Sequence, residues 1–147
     1  MLKARTKLAC RIAGIDPLRL NEAVHAGRYP IAPATKAGSS RVYEVDDIVA
    51  LCIYKQLTDD EVGVSAENAG YFAGQALSKF EGQPDVEVVF RVTCANRSSF
   101  WTTELPQPTA VYGAGRPQIW MGFNIKALRD MVTKELEEEF HRLGEED

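Results

Sequence analysis

Histidine and cysteine are scarce in this chain, whose 147 residues include two histidines and three cysteines. His25 and His141 lie far apart in sequence, and no Ser/His/Asp or Cys/His grouping forms by proximity. The odd set Cys10, Cys52 and Cys94 is widely spaced, each residue inside an apolar segment. This argues against a disulfide framework and against paired metal ligands, and predicts buried, reduced thiols in a cytoplasmic protein. Long hydrophobic runs are missing too: none approaches the ~20 residues of a bilayer span. Met1–Lys7 is charged with no apolar stretch behind it, so no secretory leader and no membrane partner are expected. Gly113-Ala114-Gly115-Arg116 lacks the Gly-Lys-Ser/Thr ending of a phosphate loop and reads as a turn. No catalytic constellation and no cofactor are expected.

What is present describes a globular protein, with 45% hydrophobic and 26% charged residues. The length suits one domain, or a small domain with an appendage. The net charge of −4 conceals a division. Up to Tyr43, Lys3, Arg5, Lys7, Arg11, Arg19, Arg28, Lys36 and Arg41 face only Asp16 and Glu22, a net of +6. The remainder carries nine basic and nineteen acidic residues, a net of −10. A basic head suits a polyanion, because neutralising phosphates releases condensed counterions. An acidic remainder repels the same polyanion and orients the head toward it.

Within the head, apolar spacing predicts a helix over about Ala4 to Ala13, closed by Gly14. Asp16-Pro17 is a start signal, an N-cap carboxylate followed by proline where the missing N–H is harmless. The helix it opens runs to Ala26 and stops at Gly27, with Leu20, Ala23 and Val24 inward and Arg19, Asn21, Glu22 and His25 outward or flanking. Two short helices joined at a glycine match the pattern whose second helix enters the DNA major groove. The loop from Arg28 to Ser40 has stiffening prolines and a basic tip, Lys36-Ala37-Gly38-Ser39-Ser40, suited to phosphate oxygens. Arg41-Val42-Tyr43 then reads as a strand and Asp46-Asp47-Ile48 as a helix opened by acids.

Gly14-Ile15-Asp16, Gly27, the loop prolines Pro30 and Pro33, Arg41-Val42-Tyr43 and Asp46-Asp47-Ile48 fall in one order and spacing. Over roughly residues 7–80 they resemble the N-terminal domain of the MerR superfamily of bacterial regulators and the related excisionase-like winged helices of phages. The resemblance implies a winged helix-turn-helix that binds double-stranded DNA. It also implies that Arg41 and Tyr43 support the wing and touch backbone phosphates. The second helix departs from the family: Leu20-Asn21-Glu22-Ala23-Val24 stands where an arginine and an aromatic pair are usual. The residues themselves make Arg19, Asn21 and His25 the base readers, since Arg and Asn bond base edges bidentately. Arg5, Lys7, Arg28, Lys36, Ser39 and Ser40 join Arg41 and Tyr43 as phosphate candidates. The alternative for each is a solvated polar side chain.

A third helix is expected from Val45 to Leu57 and a fourth from the Ser65 cap to Phe80. Gly70 and Gly74 inside the fourth cost roughly 1 kcal/mol each against Ala, tolerable if another backbone packs closely there. After Glu81-Gly82-Gln83-Pro84 the pattern changes to alternation, predicting a strand near Val86–Thr93 and a partner at Phe100–Leu105. Short strands are expected at Thr109–Tyr112 and Gln118–Phe123, then a helix from the Asn124 cap to about Leu143. Phe100, Trp101, Tyr112 and Trp120 line an effector pocket or, more commonly for such residues, belong to the core. In the MerR pattern a C-terminal helix pairs two subunits, and the stripe Ile125, Leu128, Val132, Leu136 and Phe140 suits this. Packing over the small sheet suits it equally. Metal-sensing members place cysteines near that helix, and this chain has none after Cys94.

The expected architecture is α+β: a MerR-like winged helix-turn-helix over 1–80, then a small antiparallel β segment and a long C-terminal helix over 81–147 for dimerisation, effector or partner binding. The expected function is sequence-specific DNA binding by a homodimeric transcriptional regulator of bacterial or phage type, with RNA polymerase or another regulatory protein as a further candidate partner. The alternative is a protein-interaction module, an antiactivator or phage accessory protein, that keeps the winged-helix fold.

Overall fold

The computed structural model describes residues 2–35, 39–113 and 115–146. These residues form a mixed α+β fold with five helices and two small antiparallel sheets. Lys3–Arg5 is a strand, β1, so the first helix starts later than its apolar spacing suggests, at Thr6 rather than Ala4. Ala4 goes into the core as a strand residue, opposite Tyr43. Helix α1 (Thr6–Ala13) ends at Gly14, whose φ of 76° lets the chain turn, and the Ile15 N–H closes back on the Cys10 carbonyl at 3.0 Å. Helix α2 (Pro17–His25) opens as expected, with the Asp16 carboxylate accepting from the Leu18 N–H at 2.9 Å. Strand β2 (Val42–Glu44) pairs with β1, and helix α3 (Val45–Thr58) follows at once, tied by the Asp47 carboxylate to the Glu44 N–H at 2.9 Å.

Helix α3 is the centre of the molecule. Eight of its residues, Ile48–Tyr54 and Leu57, are buried, as befits a helix apolar on nearly all sides. Packed around it are α1, helix α4 (Ala66–Phe80, capped by Ser65) and the long helix α5 (Ile125–Glu146). The core is a single cluster running from Ala4 to Leu136 across the expected boundary at residue 80.

The segment Arg28–Ile31, expected as the first part of an exposed loop, is instead packed on α4. Tyr29 is buried and meets Tyr54 edge-on at 4.9 Å, and the Arg28 backbone crosses so close to Gly70 that a Cβ there would lie 1.8 Å from the Arg28 carbonyl oxygen. This close crossing accounts for a glycine in mid-helix. Gly74 meets only the Ile31 side chain, at 3.0 Å from an added Cβ.

The second sheet has strand order β4-β3-β5, with β3 (Val88–Cys94) between β4 (Ser99–Thr102) and β5 (Pro117–Asn124). The strand expected at Thr109–Tyr112 is not formed; Tyr112 makes a single bridge to Gly115, while Tyr112 and Phe100 rings meet at 4.8 Å. Both faces are thus partly covered over β3 and β4, while Gln118–Gly122 of β5 stay exposed. Alternation along β3 is blurred for that reason, Val89 being buried on one side and Val92 on the other. On the α4 side, Arg91 lies 4.2 Å from the Phe72 ring centroid and Trp101 stacks with Phe123 at 6.0 Å. Trp101 lies on the α4 face, whereas Phe100 and Trp120 flank Val92 on the other, where Tyr112 also meets Phe100, so three of the four expected pocket aromatics share one face and Trp101 does not.

Arg129 of α5 fastens the sheet region to the helices. Its Nε and Nη2 donate to the two oxygens of Asp46 at 2.9 and 3.2 Å, and its remaining N–H groups donate to the carbonyls of Phe80, Gln83 and Val86 at 2.6, 3.0 and 3.1 Å. All five guanidinium donors are used.

Alanine at position 70 is expected to lower stability by about 3 kcal/mol, the upper end of overpacking costs, because the clash is with backbone. Alanine at 74 should change it by no more than about 1 kcal/mol, helix propensity offsetting a small side-chain shift. Urea denaturation of both variants checks the difference.

Candidate nucleic-acid interface

Helix α2 turns Leu20 and Ala23 inward and leaves Arg19, Asn21, Glu22 and His25 exposed. Leu18, Asn21, Glu22 and His25 follow the i, i+3, i+4, i+7 spacing of one helix face, and Arg19 sits on its flank. Arg19 and Arg28 border the same polar cleft of about 670 Å³, with Lys55, Asp16, Glu22 and Asp59. Leu18 is 71% exposed, on the side of the helix opposite Leu20. Sequence reasoning passed over it, although the helical wheel that turns Leu20 inward turns Leu18 out.

The head's cations divide into two groups. Lys3, Arg5, Lys7, Arg19 and Arg28 are exposed, and none of them pairs with an acid among the described residues. Arg5 stands in register with Val42 on the β1–β2 ribbon, and Lys7 follows in the first turn of α1. Arg11 and Arg41 are engaged. Arg11 donates from Nη2 to Glu139 of α5 at 2.9 Å, and Arg142 donates to the other Glu139 oxygen at 2.6 Å. These two cations hold the Glu139 carboxyl down to about 2. Arg41 is half-buried and donates from Nη1 to the Pro33 carbonyl, so its observed role is to brace the loop. Thr35 closes the same loop with its hydroxyl on the Ser39 carbonyl at 2.6 Å, and Ser39 and Ser40 are exposed. Lys36 lies outside the described residues.

Two expectations need correction. Tyr43 is fully buried beneath β1, and its hydroxyl cannot meet a phosphate. That hydroxyl has no hydrogen bond of full geometry, Thr6 offering only a weak one. Burial, then the nearby Cys10 thiol, pushes its pKa up. The ring is a core anchor, which explains a large aromatic residue here without any DNA contact; nothing in the structure explains its hydroxyl. The second correction concerns α5. Ile125, Val132 and Leu136 are fully buried within the chain's own core, against α3 chiefly and only marginally over the sheet, and Leu128 is half-buried beside them. They are not free to pair subunits; of the five expected, only Phe140 is exposed.

The cysteines are chemically quiet. All three are free and buried, and desolvation raises the thiols of Cys10 and Cys52 to about 11, so both stay protonated at neutral pH. Among the described residues no helix is long and apolar enough to cross a membrane. No protein-family model matches the chain, and no curated protein matches it.

The Glu139 carboxyl is depressed from 4.5 to about 2, so the stability it contributes is present above pH 4.5 and is lost as pH falls toward 2. Wild type should therefore exceed Glu139→Gln in urea midpoint by a constant margin near neutrality. That margin should shrink between pH 4.5 and about 2. An equal margin at both ends of the range would mean that the ion pair is not its source.

Proposed function

We propose that this protein is a sequence-specific, double-stranded-DNA-binding transcriptional regulator of bacterial or phage type, acting as a homodimer through an N-terminal winged helix-turn-helix similar to that of the MerR superfamily. The observation that carries the reading is the set of exposed head cations, Lys3, Arg5, Lys7, Arg19 and Arg28, which have no acidic partner among the described residues of a chain of net charge −4. Gathered on one head without carboxylate partners among those residues, they are available to an external polyanion.

In this reading α2 enters the major groove. Asn21 bonds a base edge, adenine being the residue type it fits bidentately. His25, one turn further along the same face, meets a base edge or a phosphate. Leu18 packs on a thymine methyl, and Glu22, also on the outer face, accepts from a cytosine amino group and discriminates against other bases. Arg19, on the flank, and Arg28 reach phosphates. Arg5 and Lys7 anchor the backbone from the β1–α1 corner, and the Ser39-Ser40 tip meets it from the loop, with Lys36 as an added cation. Arg41 acts indirectly, by holding the loop through Pro33. Such contacts fix the protein on the duplex, while the α2 face carries the sequence information.

Mobility shifts with genomic fragments at low salt test this. Arg19→Ala should weaken binding on the order of tenfold across all sequences, whereas Asn21→Ala should weaken it similarly and relax selectivity at one base pair. Tyr43→Phe should leave affinity unchanged, since the ring is internal. Absence of any shift at low salt, with one protein partner recovered in stoichiometric amount, would replace DNA by that partner and return the protein to the interaction-module class.

A further inference from the structure

Strand β5 is the long open edge of the second sheet, eight residues against four for the opposite edge β4. Only β3 pairs with it among the described residues, so alternate N–H and C=O groups along its outer side face solvent. Edge strands of this length are ordinarily protected by lysines, an internal proline, a covering loop or a bulge, and β5 has a bulge only at its start, where Thr93 pairs with Ile119 and Cys94 with Pro117 so that Gln118 is the extra residue. Here Pro117-Gln118-Ile119-Trp120-Met121-Gly122-Phe123-Asn124 carries no charge, in a chain with 26% charged residues, and its proline is at the very start. Ile119, Trp120 and Met121 are 69%, 38% and 39% exposed, the most concentrated apolar exposure in the described chain. Ile119 and Met121 lie on one face of the sheet and Trp120 on the other, so both faces of the edge are apolar.

We propose that β5 pairs antiparallel with β5 of a second copy, joining two three-stranded sheets into one of six strands. The inference rests on the sheet and not on DNA binding. A second copy fits because the strand is self-complementary about Trp120. With Trp120 on the two-fold axis, Ile119 lies opposite Met121 of the partner subunit, within the regular part of the strand that follows the bulge at Gln118. Apolar side chains then adjoin apolar ones on the Ile119/Met121 face, and the two tryptophans adjoin on the other. Charge gives the same answer: two copies of an uncharged strand meet without repulsion, whereas most of the remaining surface beyond residue 43 is acidic. The three exposed side chains bring about 300 Å² of surface per copy, so a pair buries about 600 Å² before the strand backbones and Gln118 are counted, against ~1,000 Å² for a specific interface. The contrasting surface is α5, whose exposed Met131, Phe140 and Leu143 are scattered among charges.

Light scattering on the 147-residue chain without DNA, at about 50 µM and physiological salt, tests the proposal. The expected mass is twice 16.3 kDa. Ile119→Lys and Met121→Lys, both at exposed positions where the fold tolerates lysine, should each shift the mass to that of the monomer, with the circular dichroism spectrum unchanged. Phe140→Glu should leave the dimer intact. A monomeric wild type overturns the proposal, as does a dimer that survives both lysine variants or that Phe140→Glu dissolves. A dimer lost with the lysines but unable to bind DNA confirms this interface and counts against the DNA reading alone.

Discussion

One guanidinium holds the two halves of this protein in a fixed relation. Arg129 comes from the C-terminal helix, Asp46 from the first turn of the central helix, and the carbonyls of Phe80, Gln83 and Val86 from the segment between the helical part and the sheet. Without Arg129, three carbonyls and a carboxylate would meet at a largely enclosed corner with too few donors, and removing one partner from such a pair costs about 3 kcal/mol. Asp46 is also one of the acids opening α3, and it accepts the Gly82 N–H at 3.2 Å. The fork therefore sets where the chain leaves α4, where α5 begins its path along α3, and how the sheet sits on the helices. Arg11 and Glu139 repeat the connection at the far end of α5. Head and remainder consequently share a core, and the basic surface is carried on a rigid body.

The helices and their caps were largely legible from local chemistry. Gly14, Asp16-Pro17, Ser65 and Asn124 each act where their backbone or side-chain preferences suggest, the Asn124 carboxamide accepting from the Ala127 N–H at 3.0 Å. Gly70 correctly signalled a close backbone approach, whereas Gly74 meets only a side chain, and neither showed the source, since no local pattern shows that Tyr29 leaves the loop for the core. β1 was missed because three residues beside a helical repeat carry little period, and only pairing with β2 makes them a strand. The same limit applies at Thr109–Tyr112, where the composition suits a strand but no neighbour is there to pair with it beyond one bridge.

The candidate interface was legible in its charges and less so in its geometry. Exposure of Arg19, Asn21 and His25 follows from the helical wheel, which also exposes Leu18. Tyr43 could not be separated from its neighbours by pattern, because an alternating three-residue strand is too short to say which side is covered. The α5 stripe shows a limit of another kind. Periodicity establishes that Ile125, Val132 and Leu136 are covered, and it does not say by what; here the cover is α3 of the same chain. Apolar residues left over for a second copy are on β5, where an uncharged run at a sheet edge was visible in sequence but its edge position was not.

Charge separation and rigidity together define the account. Among the described residues the ion pair between the C-terminal acids and the head is Arg11–Glu139. The other exposed head cations among them stay unpaired although Asp59 shares the cleft that Arg19 and Arg28 border, while the acidic body disfavours any other orientation on a polyanion. Counterion release is the direct signature of such a surface. Fluorescence anisotropy with a labelled duplex, titrated between about 50 and 200 mM salt, measures it, and neutralisation of four or so phosphates per protomer, about eight for the proposed homodimer, predicts log K falling against log salt with a slope of about −7. A slope near zero, or no binding at the low-salt end, would contradict the assignment of the basic head to DNA.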